Sequence, residues 1–158
     1  MIICGHALIG KSTLASKEPV CIDLESSVFC QGNFDRYAQM ILTLHQQGKV
    51  VLTSCHGALR EILRLSKISY FLVLPHPKEK DRYYDLAKAR QPHPLQPELV
   101  LSQWDNWQEH KKDENVYRLP IGKHLSEVFV VCGRGKYALD PCLALAAERG
   151  KYEQDTEN

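Results

Sequence analysis

Short apolar runs separated by amphipathic stretches of helical length set the pattern of this chain. MIIC (1–4), VCI (20–22), KVVLTS (49–54) and SYFLVLP (69–75) are continuous apolar blocks, with VYRL (116–119) a weaker fifth. Blocks of this kind that end at Gly5 or Asp23 suit strands buried on both faces better than strands with one wet face. Between them, FDRYAQMILTLHQQG from Phe34 places apolar residues at 37, 38, 41, 42 and 44 and predicts a helix stopped by Gly48. HGALREILRLSK (56–67) puts Leu59, Ile62, Leu63 and Leu65 at helical spacing, with Arg60, Glu61 and Arg64 opposite. PKEKDRYYDLAKAR (77–90) predicts a helix with Pro77 in its first turn, and PELVLSQWDNWQEHKK another from about Pro97. Strand and helix alternate, which predicts an α/β domain with a mostly parallel five-stranded sheet and helices on both faces. Ligands of such sheets gather at the carboxyl ends of the strands.

That rule directs attention to the first strand's end. Gly5-His6-Ala7-Leu8-Ile9-Gly10-Lys11-Ser12 fits the phosphate-loop pattern G-x-x-x-x-G-K-[ST] at every fixed position, and Thr13 follows. Successive backbone N–H groups must turn inward around an anion here, and glycine permits both the dihedrals and the close approach. Lys11 is expected to reach the β- and γ-phosphates and Ser12 to bind Mg²⁺, with the following helix aiming its N-terminus at the phosphates. The motif predicts a three-layer P-loop NTPase fold and ATP, or another nucleoside triphosphate, as ligand.

Composition narrows the partners. The 158 residues are 44% hydrophobic and 25% charged, with a formal net charge of +1. A single domain over 1–150 is expected, with KYEQDTEN (151–158) as a loose tail. The near-zero charge excludes a broad field for nucleic acid or anionic lipid. No apolar run is long enough to span a bilayer, and the six cysteines show no Cys-x-x-Cys spacing. A soluble, reduced, cytoplasmic protein is expected, with no membrane partner. The seven histidines are scattered without metal-binding spacing.

In GHALIGKSTLA, CIDLESSVF, VVLTSCHGALRE, YFLVLPHPKEKDRYYDLAKAR and VYRLPIGKHLSEVF, taken in order, the chain resembles the small P-loop nucleoside and nucleotide kinases, in particular the compact kinase-like proteins of bacteriophages. The resemblance implies a Mg²⁺- and ATP-dependent phosphotransferase whose acceptor is a nucleoside, a nucleotide or a polynucleotide end. It implies an acceptor-side carboxylate at the end of the second strand, where Asp23 and Glu25 stand, with Asp23 preferred; a carboxylate capping its own turn is the competing role. It places Ser54, His56 and Arg60 on one wall of the acceptor pocket, or Arg60 on a solvated helix face. It also implies a lid over about 76–94, with Arg82 and Arg90 closing on the transferring phosphate, against an ordinary exposed charged helix. Where many P-loop enzymes carry an acid at the end of the third strand, this chain has Thr53 and Ser54. That departure leaves room for a protein that binds nucleotide without transferring it, as a sensor, a sequestering protein or an inhibitor of a host enzyme. A small ATPase or GTPase is disfavoured, since no guanine-reading Asn-Lys-x-Asp motif occurs. Trp104 and Trp107, three apart, are expected to share one helix side and pack on the lid or core, and CGRGKY (132–137) is given no chemistry.

Overall fold

The first apolar run, Ile2–Gly5, forms β1 at the centre of a sheet with order β2-β3-β1-β4-β5. The other strands are β2 (Cys21–Leu24), β3 (Val50–Ser54), β4 (Phe71–Leu74) and β5 (Val116–Arg118), and every pairing is parallel. The computed structural model describes residues 1–91, 94–102, 104, 107–133 and 135–141. All five predicted strands form.

Alternation within β1 divides the interior into two layers. Ile2 and Cys4 point to the side where α3 (Phe34–Gln46) and α4 (Gly57–Leu65) contribute Tyr37, Ala38, Ile41, Leu59 and Leu63. Ile3 points to the opposite side, among Leu14 of α1 (Lys11–Lys17), Tyr83 of α5 (Lys80–Ala89) and Leu125 and Val128 of α8 (Leu125–Val128). A strand buried on both faces needs the continuous apolar sequence that β1, β3 and β4 carry.

Helix ends follow local chemistry. The side chain of Asn33 accepts the Arg36 N–H at 2.9 Å to open α3, and Gly48, at φ +79°, lets the chain leave it. Pro77 opens a 3₁₀ turn, Pro77–Glu79, which leads into α5. The expected continuous helix from Pro97 is instead two short pieces, α6 (Pro97–Leu101) and α7 (Trp107–His110). Trp104 between them turns inward, donating its indole N–H to the Pro77 carbonyl at 3.2 Å; the side chain of Trp107 lies outside the described residues. Three further elements had no signal in the periodicity: α2 (Ser26–Phe29), α8, and an antiparallel hairpin of β6 (Phe129–Val131) and β7 (Tyr137–Leu139). The part of CGRGKY before Tyr137 joins β6 to β7, and Tyr137 opens β7; Arg134 lies outside the described residues, as do Cys142 and the tail 151–158.

Among the described residues no helix is long and apolar enough to cross a membrane. None of the five described cysteines is in a disulfide, and four of them are buried.

Candidate functional site

The loop joining β1 to α1 departs from ordinary backbone at two places. Leu8 (φ +66°) and Gly10 (φ +92°) both take left-handed conformations, the second of which only glycine adopts freely. Gly5 is required for a different reason: a Cβ there would lie 2.5 Å from Cδ1 of Ile9 and 3.2 Å from Cδ of Lys11. Ile9 is buried in the core beneath the loop, so it contributes backbone and not side chain to the site. Its carbonyl accepts the Leu125 N–H at 2.8 Å, which ties the loop to α8.

Lys11 folds back over the loop and donates to the carbonyls of Gly5 (3.0 Å) and His6 (2.9 Å). Burial pushes its ammonium pKa down, while Asp23 and Glu25 are among the groups that oppose the shift. Ser12 donates its hydroxyl to Oδ2 of Asp23 at 2.6 Å. The other oxygen of that carboxylate, Oδ1, is buried without a hydrogen-bond partner. His6 is 3% exposed and packs edge-on against Tyr83 (5.8 Å between centroids) and Trp104 (5.5 Å). Its imidazole is held neutral chiefly by burial.

These residues line a cleft of about 890 Å³. Its floor is Gly5, His6, Ala7, Leu8, Gly10, Lys11, Ser12 and Thr13. One wall comes from the ends of β2 and β3 and carries Asp23, Glu25, Ser26, Ser27, Ser54 and His56. His56 meets the Ser26 hydroxyl at 3.1 Å, and burial followed by the Lys11 charge lowers its pKa. The facing wall includes Arg90 at the end of α5 and Leu99 and Val100 of α6. The third side is His124, Ser126 and Glu127, beside Gly10. Sequence reasoning missed this third side. Glu127 accepts the His124 N–H at 2.8 Å, but the usual capping-box signature opens with Ser or Thr, and His124 in that place hides it.

Two of the expected arginines stand elsewhere. Arg60 does not line the cleft: it is buried, donating to the Cys55 carbonyl at 3.1 Å and pairing with Asp113 and with Glu109 (3.1 Å). Its side chain turns into the core because two carboxylates from the α7 segment and the turn after it meet it there. Arg82 pairs with Glu79 and lies 3.3 Å from Nε2 of His124, so it braces α5 against the β5–α8 connection and is not part of the cleft lining. The same helix is not merely an exposed charged one, since Tyr83 and Ala87 are buried. Of the two arginines expected of a lid, Arg90 lines the cleft.

Among the described residues no cluster of three or more His, Cys, Asp or Glu could enclose a metal ion. A Mg²⁺ ion held mainly by nucleotide phosphates needs less: it takes one or two protein oxygens. Ser12 and Asp23 fit that demand, being hard oxygen donors in direct contact, with one carboxylate oxygen left over.

The phosphate-loop sequence bent between β1 and α1, beneath a parallel sheet ordered 2-3-1-4-5, decides the architecture. It is a three-layer α/β P-loop fold. No protein family and no curated protein matches the chain. Among solved structures the chain is similar to a shikimate kinase from Bacteroides thetaiotaomicron, at 12% identity over 74% of this chain and 83% of that one, with a TM-score of 0.39. So distant a likeness carries nothing about substrate, and the architecture rests on strand order and loop.

Proposed function

We propose that the protein is a phosphotransferase that moves the γ-phosphoryl group of ATP, with Mg²⁺, to a hydroxyl of a nucleoside- or nucleotide-like acceptor. The observation that carries this reading is the contact of Ser12 with Asp23 at the mouth of the phosphate loop. The third strand lacks the acid common in P-loop enzymes, and a carboxylate from the neighbouring second strand stands beside the loop serine instead.

The loop's N–H groups and the start of α1 supply an anion cup for the triphosphate. Lys11, now on the Gly5 and His6 carbonyls, exchanges them for β- and γ-phosphate oxygens. Ser12 and Asp23 would hold Mg²⁺, which when bound neutralises charge that develops on the β- and γ-oxygens. The hydroxyl oxygen of the acceptor attacks the γ-phosphorus as the bridging β–γ P–O bond breaks, and that electron pair leaves on ADP. Oδ1 of Asp23 receives or aligns the hydroxyl proton. Arg90 approaches the transferring group from the opposite wall, where a guanidinium holds phosphate oxygens in a bidentate way.

Transfer from γ-labelled ATP with Mg²⁺ to a panel of hydroxyl acceptors tests the reading. Lys11→Ala should lower turnover by at least about 100-fold. Asp23→Asn should spare ATP affinity measured without Mg²⁺ and cut turnover by a similar factor. ATP binding with no transfer to any acceptor would assign the protein to nucleotide binding without catalysis.

A further inference from the structure

The wall formed by the ends of β2 and β3 converges on the reacting end of the loop. Asp23 touches Ser12 at 2.6 Å, and on the same wall the Ser26 hydroxyl meets His56 at 3.1 Å. An acceptor hydroxyl must therefore reach the γ-phosphate along this wall. Its chemistry is one-sided: two carboxylates, the hydroxyls of Ser26, Ser27 and Ser54, and one imidazole. Among the described lining residues, this wall holds no lysine or arginine. Arg60, which chain order places nearest, is turned into the core and paired with Asp113 and Glu109. The cations of the cleft stand elsewhere: Lys11 in the floor, Lys17 on α1, and Arg90 on the opposite wall.

An acceptor that carries phosphate or carboxylate would bring its charge against Glu25 with no lysine or arginine of this wall to meet it, and like charges placed face to face at an interface are strongly disfavoured. A sugar-like group meets the reverse situation. Its hydroxyls donate to the Glu25 carboxylate and accept from the serine hydroxyls. A polynucleotide end would need a basic groove for its backbone, which this wall does not supply.

We propose that the acceptor is a polyhydroxy compound without negative charge, selected by the carboxylate and hydroxyl wall of Asp23, Glu25, Ser26, Ser27 and Ser54. The proposal rests on the phosphotransferase reading, removes nucleotides from its acceptors and admits other neutral polyols.

Matched pairs test it: a nucleoside against its 5′-monophosphate, a hexose against the corresponding hexuronate, and an amine-bearing cyclitol as a third source of the same hydroxyl pattern. Calorimetry on the ADP-loaded protein and the rate of ADP release from ATP are both read. The uncharged or cationic member of a pair should exceed its anionic partner by at least about 100-fold in kcat/KM or affinity. Glu25→Lys, at an exposed position, should move that ratio at least about 10-fold toward the anionic member, which a purely structural role for Glu25 would not do. Equal or better use of the anionic member overturns the proposal and leaves the phosphotransferase reading standing. So does failure of every uncharged member to bind well above the usual KM ceiling of about 1 mM. Failure of ATP itself to bind overturns the phosphotransferase reading instead.

Discussion

Arg60 has 1% of its side chain exposed and is satisfied by Asp113, Glu109 and the Cys55 carbonyl, while Tyr70 donates its hydroxyl to the second oxygen of Asp113. Removing one member of such a pair strands the other charge in the interior, at a cost of about 3–5 kcal/mol. Arg60→Met should therefore lower the midpoint of thermal unfolding by roughly 10 °C for a chain of this size. Asp113→Leu added to it should recover much of the loss, because the fully buried carboxylate left by Arg60 is then gone as well. Nucleotide affinity, measured on the folded fraction, should be unchanged in both variants. The helix pattern of HGALREILRLSK places Arg60 on the polar face, so cleft wall and solvent were the readings local spacing allowed. Its partner Asp113 lies 53 residues further on, and no local pattern reports so distant a pairing.

Elements were legible where a local device marks them and illegible where packing decides. Gly48 ends α3 and Pro77 opens the turn before α5, each through its own backbone geometry. The break between α6 and α7 has no such mark, since it follows from Trp104 turning in toward His6 and Tyr83. Helix α8 and the β6–β7 hairpin are three or four residues per element, too short to show a period. The phosphate loop, by contrast, is written in its glycines, and two of the chain's glycines separate strain from function. Gly10 and Gly48 have φ of +92° and +79°, so an alanine at either forces a left-handed residue at about 1–2 kcal/mol. Chemical denaturation should find Gly10→Ala and Gly48→Ala destabilised by that similar amount. Only Gly10→Ala should also weaken nucleotide binding, since the end of α3 contributes nothing to the cleft.

At the scale of the whole molecule, stability should depend on pH through histidines buried in neutral form. His6 and His110 are 3% and 5% exposed, and burial is the main cause that depresses each below the ordinary value of 6.5; Lys11 adds to it at His6 and Arg60 at His110. A depressed pKa in the folded state means that the unfolded chain binds the proton first as pH falls. The contribution is fully present above about pH 6.5 and is lost progressively as pH drops toward the folded-state values. Each histidine adds a slope of up to about 1.4 kcal/mol per pH unit in that window. Unfolding free energy should thus be flat from about pH 7.5 to 6.5 and then fall. His110→Phe, which removes a ring whose nitrogens have no hydrogen-bond partner, should make that slope shallower.

The proposed acceptor wall has one more consequence. Asp23, Glu25, Ser26, Ser27, Ser54 and His56 belong to neither of the two apolar layers that hold the sheet and helices together. Selectivity and folding are thus entrusted to separate sets of side chains. Exchanges at the exposed members of the wall should mostly stay within about 0.5 kcal/mol of neutral for folding. Under the proposed phosphoryl transfer, a lineage built on this scaffold is free to change its acceptor one residue at a time, without first having to become a sturdier protein.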